Sequence, residues 1–125
     1  MPISQAELAE RLRKLRESYA AKLAARVEEI GATLTPLIEG DWSGGAAETA
    51  ARLAHNLAGT GQTFGFPEVG SAARRVEDLL LEWRGDEDAL PPDYRQALAG
   101  GLESLYEEAR AAGVDVVPPT SQLPS

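Results

Sequence analysis

Residues 66–83 read Phe66-Pro67-Glu68-Val69-Gly70-Ser71-Ala72-Ala73-Arg74-Arg75-Val76-Glu77-Asp78-Leu79-Leu80-Leu81-Glu82-Trp83. Pro67 suits the first helical position, where its missing N–H is no loss, and Glu68 suits the positive end of the helix dipole. At 100° per residue, Val69, Ala72, Ala73, Val76, Leu79, Leu80 and Trp83 fall within an arc of about 120°. One face of this helix is apolar and the other charged, so it must lie against further helices or a sheet. Val and Ile are few elsewhere, alanine is frequent, and no stretch alternates apolar and polar for long. That pattern favours helices over strands.

Working outward, the segment Gly85-Asp86-Glu87-Asp88-Ala89-Leu90-Pro91-Pro92 is an acidic turn. A fourth helix is predicted from about Pro92 to Ala112, with Tyr94, Leu98, Leu102, Leu105, Tyr106 and Ala109 inward. Gly100 and Gly101 fall in its middle and predict close packing or a kink. From Gly113 the chain reads GVDVVPPTSQLPS, a tail pinned at most by Val114, Val116 and Val117. On the other side, the predicted helix from Ala46 to Gly61 or Phe64 turns Ala50, Leu53, Ala54, Leu57 and Phe64 to the core. Before it, GDWSGG at 40–45 is a loop.

The N-terminal helix begins at Ser4, which with Glu7 fits a capping box, while Ile3 and Leu8 fit a hydrophobic staple. Leu8, Leu12, Leu15, Tyr19, Leu23, Val27, Ile30, Leu34 and Leu37 form one stripe that is expected to face the core. Glu7/Arg11 and Glu10/Lys14 pair on its wet side. Gly31 and Pro36 predict a bend or an early end, and a break near Glu17–Ser18 would divide it in two. The expected architecture is all-α: an antiparallel up-down four-helix bundle over residues 1–112, with a possible additional N-terminal helix or extension, and a tail over 113–125.

Composition removes several function classes. The chain has 125 residues, one histidine and no cysteine, which excludes a His/Cys metal cage, thiol nucleophiles and disulfides. Twelve Lys and Arg against twenty Asp and Glu give a formal charge of −8, unsuited to phosphate backbones. No apolar run reaches the roughly 18 residues of a membrane span, and the first residues lack a signal core, so a cytoplasmic domain is expected. Asp86, Glu87 and Asp88 read as a solvated turn, and the run Arg11, Arg13, Lys14, Arg16 as a solvated face diluted by Glu7, Glu10 and Glu17. Trp42 and Trp83 read as packing residues.

His55 is the one side chain whose unperturbed titration lies near neutral pH. It falls between Leu53 and Leu57 and so points outward. Ala51, Ala58, Gly59 and Gln62 share its face, and three of these four are as small as side chains can be. The expectation is a clearing through which another macromolecule approaches the imidazole.

The segment Ala54-His55-Asn56-Leu57-Ala58-Gly59-Thr60-Gly61-Gln62-Thr63-Phe64-Gly65 resembles the core motif of histidine-containing phosphotransfer (HPt) domains, A-H-x-L-K-G-x-x-x-x-L/F-G. Val76-Glu77 resembles the family's aliphatic-Glu pair in the next helix, Gly40-Asp41-Trp42 its G-D-W connection, and Tyr19 its aromatic-led preceding helix. The resemblance spans roughly residues 15–110. It implies an up-down bundle with an exposed histidine that takes a phosphoryl group from an aspartyl phosphate and passes it on. It also implies response-regulator receiver domains and a hybrid histidine kinase as partners, a receiver that brings the Mg²⁺, and no cofactor or kinase activity of the chain's own. Ala58 stands where the family usually has lysine. Arg74, one turn before Glu77, is the expected substitute cation. Gln62 is expected to reach the phosphoryl oxygens or the ring, Gly59 to permit close approach, and Gly65 to serve helix packing or the helix end. Neither nucleic acid nor membrane is an expected partner. The alternative reading is an HPt-like module that binds receivers or other signalling proteins without taking phosphate.

Overall fold

A computed structural model describes residues 2–40, 45–82 and 92–117. Trp42, Trp83 and the Asp86–Asp88 turn lie outside the described residues. Four helices follow one another: α1 (Gln5–Ile38), α2 (Ala46–Thr63), α3 (Pro67–Glu82) and α4 (Pro92–Ala111). Contacts run α1 to α2, α2 to α3, α3 to α4 and α4 back to α1, with none across the diagonals among the described residues. That ring is the up-down four-helix bundle. None of the described helices is long and apolar enough to cross a membrane.

The helices start and stop for local reasons. Ser4 accepts a hydrogen bond from the Glu7 backbone N–H at 3.1 Å, capping α1. α1 is continuous, with no break at Glu17–Ser18, and Arg13 bridges Glu10 and Glu17 in the turns leading up to that position. It also runs through Gly31 and Pro36. Pro36 stands two residues from the end, so the backbone bond it cannot donate falls in the last turns of the helix. Thr35 Oγ1 donates to the Gly31 carbonyl at 2.7 Å, and Arg95 Nε, from α4, donates to the Ile38 carbonyl at 2.8 Å. The Arg95 bond satisfies a carbonyl that the helix end leaves open.

α2 ends in a Schellman turn: Gly65 adopts φ +87°, and the Phe66 N–H donates back to the Gly61 carbonyl at 2.8 Å. α4 ends the same way at Gly113, φ +83°, with the Val114 N–H on the Ala109 carbonyl. Val114 and Val116 beyond it are buried, whereas Val117 is exposed.

Leu23, Val27, Ile30, Leu34 and Leu37 of α1 are fully buried against Leu57, Val76, Leu98 and Leu105 of the other three helices. The first three leucines of the predicted stripe are not: Leu8, Leu12 and Leu15 are 47%, 57% and 63% exposed. The reason is length. α1 has 34 residues, about 51 Å at 1.5 Å per residue, while α2, α3 and α4 have 18, 16 and 20. Its first turns therefore outrun every neighbour. Phe64, also expected in the core, is half-exposed and stacks on Tyr19 with ring centroids 4.1 Å apart. The turn at Gly65 sends Phe66 inward in its place, buried under the Arg16 guanidinium.

Candidate functional site

α2 and α3 are the most closely packed pair of helices. Their seam is built without side chains. A Cβ on Gly70 would lie 2.9 Å from the Ala58 carbonyl oxygen, and one on Gly61 would lie 3.0 Å from the Gly70 backbone. The two backbones touch there because neither glycine holds them apart. Just N-terminal to this contact on α2 stands His55, and C-terminal to it on α3 stands Glu77. In antiparallel helices those displacements bring the two residues level.

The imidazole Nδ1 lies 2.8 Å from Glu77 Oε2. The His55 side chain is 71% exposed, while that of Glu77 is only 14% exposed. The ring is thus open to solvent but held on its inner edge by a sheltered carboxylate. An ionised carboxylate can only accept hydrogen bonds, so Nδ1 carries the proton in this pair. The neutral ring then has its lone pair on Nε2.

The neighbours of His55 divide in a way its helix wheel did not foresee. Gly59 is exposed, with no atom within 4 Å of where its Cβ would be, so that side of the ring is open. Ala51 is half-buried. Ala58 is 3% exposed and belongs to the α2–α3 seam, which corrects its expected place in the clearing. The wheel put it beside His55, but α3 covers that side of α2. Gln62 is exposed, yet its amide donates to the Pro67 carbonyl at 3.2 Å and to Ser71 Oγ at 3.4 Å. It fastens α2 to the start of α3. Ser71 was not singled out in the sequence, and its only signal was its place one turn before Arg74 and Arg75. Arg74 is exposed and has no ion pair or hydrogen bond among the described residues. Gly65 terminates α2 through its positive φ.

No curated protein and no solved structure matches this chain. The family model for the Hpt domain matches residues 5–112, which covers all four helices and both residues of the His55–Glu77 pair. A bundle of this order, with an exposed histidine braced from the adjacent helix and a family match over most of its length, belongs to the Hpt domain family, whose members are phosphotransfer modules of two-component signalling.

Proposed function

We propose that this chain is a cytoplasmic phosphoryl carrier in a phosphorelay, with His55 as the acceptor between receiver-domain aspartates. Hpt domains in general carry phosphoryl groups without kinase activity of their own and work with receiver domains and kinases. The observation that carries the reading is the His55 Nδ1–Glu77 Oε2 contact of 2.8 Å beneath an exposed ring.

In this mechanism Nε2 attacks the phosphorus of an aspartyl phosphate in line. The P–N bond forms as the bond to the aspartate oxygen breaks, and the aspartate leaves as a carboxylate. The ring keeps its Nδ1 proton and becomes a phosphorylated imidazolium. Glu77, already on that proton, offsets the positive charge as it develops. Transfer to a second receiver reverses the same steps. Phosphoryl transfer asks chiefly for positioning and charge stabilisation, so one oriented ring suffices on this side while the receiver brings its metal. Arg74 is the cation we assign to the phosphoryl group, in place of the lysine that the family resemblance leads one to expect where Ala58 stands.

A second reading is a module that docks on receivers without accepting phosphate. It is favoured by Ala58, which puts an apolar, buried residue where the resemblance implies charge. Label transfer separates the two. Incubation with radiolabelled phospho-receivers should give wild type an acid-labile label, and His55→Gln none. If wild type takes no label while still binding a receiver, the docking reading replaces the carrier reading.

A further inference from the structure

The first four turns of α1 overhang the bundle: every residue from Gln5 to Ser18 is exposed, and Arg16 reaches back over the Phe66 ring. Isolated helices of this length are marginal in water, so the segment stays helical through its Ser4 cap, its Glu10–Arg13–Glu17 bridge and its continuity with the packed half. It presents Leu8, Leu12 and Leu15 in one row, at the 4,3 spacing of a helix-pairing seam. The row runs into the Tyr19–Phe64 stack, where Phe64 is 49% exposed.

Charge around the row decides what covers it. At 100° per residue, Arg11 and Arg16 lie about 70° to either side of its centre, Glu7 lies farther out on the Arg11 side at about 105° and is engaged at the Ser4 cap, and Glu10 and Glu17 lie on the far side of the helix. Both borders are therefore basic. A second copy of this chain would set arginine against arginine whether the two helices ran parallel or antiparallel. An anionic membrane would attract this row but repel the rest of the chain, where the whole acidic excess resides.

We propose that the overhanging half of α1 docks an amphipathic helix of another protein, one whose aliphatic seam is bordered by Asp or Glu. The surface is separate from His55, which lies nine residues before Phe64 on α2. The association is a helix pairing of the modest size that suits a transient partner.

The test uses the full chain and two synthetic three-heptad helices, both with Leu at the seam positions. One carries Glu at the bordering positions and the other Lys. Fluorescence anisotropy should show the Glu peptide binding at least roughly tenfold tighter than the Lys peptide at low salt. Arg11→Glu with Arg16→Glu should invert that preference. Leu8→Ser, Leu12→Ser and Leu15→Ser together should weaken binding by roughly a hundredfold or more. His55→Gln should leave it unchanged, so failure of the carrier reading would not be mistaken for failure here. Circular dichroism should show the variants folded, since every altered residue is exposed and only Arg16 touches a core residue, lying over the Phe66 ring at the surface end of the bundle.

The proposal is overturned by equal binding of the two peptides or by no binding of either. Dimerisation in solution that is lost in the triple-Ser variant would make the occupant a second copy. Sedimentation with phosphatidylserine vesicles, lost in the same variant, would make it a membrane.

Discussion

α2 has two working faces that share a helix turn and obey opposite rules. On the seam toward α3, an added methyl group has nowhere to go, because Gly61, Gly70 and the Ala58 carbonyl are already in contact. On the His55 face, an added methyl at Gly59 meets nothing within 4 Å. The seam brings Glu77 close enough to brace the ring, and the open face leaves Nε2 free. Crowding on one side is what allows openness on the other to be chemically specific. An exposed histidine without the seam would be only a mobile surface side chain.

That contrast can be broken most directly at the seam. Gly70→Ala drives a Cβ into backbone, which cannot yield as a flexible side chain would. It should cost about 2–3 kcal/mol in urea denaturation, and the loss should appear with or without a partner. A cost near zero would mean that α2 and α3 sit farther apart than described. The next effect concerns the bond that joins the two faces. Glu77→Gln keeps the shape but removes the charge opposite the developing imidazolium. It should slow label transfer to His55 roughly tenfold, about 1.4 kcal/mol in the barrier, with stability nearly unchanged. An unaltered rate would make Glu77 a bystander.

Smaller again is the opposite sign on the open face. Gly59→Ala should stabilise the protein by about 0.5–1 kcal/mol, since a helical glycine in open space carries only its entropic penalty. Gly59→Leu should keep that stability but slow transfer from a receiver, while phosphorylation by a small donor such as phosphoramidate stays the same. If both donors slow equally, Gly59 does not govern macromolecular approach. The smallest expected change is Leu12→Ala, near zero in stability, against the roughly 2–5 kcal/mol of Leu34→Ala on the same helix.

The α1 pair shows where sequence reading stops. Leu12 and Leu34 belong to one periodic stripe, and periodicity tells which side of a helix is apolar. It does not tell how long the neighbouring helices are. Leu12 is exposed because α2 and α4 end before reaching it. Phe64 is misplaced for a similar reason. Its burial depends on which way the chain turns at Gly65, and that turn sends Phe66 inward instead. Ala58 and Gly59 are adjacent in sequence, yet one is sealed under α3 and the other open.

Local chemistry was legible wherever the deciding partner lies a few residues away. The Ser4 cap, Pro67 at the head of α3, the arc of Val69, Ala72, Ala73, Val76 and Leu80, and the outward set of His55 all follow from spacing along one helix. The sequence by itself determined an all-α bundle of amphipathic helices and a single outward-set histidine among small residues, because these depend on short-range periodicity and composition. Tertiary structure alone decided the rest. It set the 2.8 Å contact from Glu77 to Nδ1, the burial of Ala58 and the basic-bordered leucine row left uncovered on α1. Each of these depends on how closely two helices approach and where they end, and no pattern within one helix carries that distance.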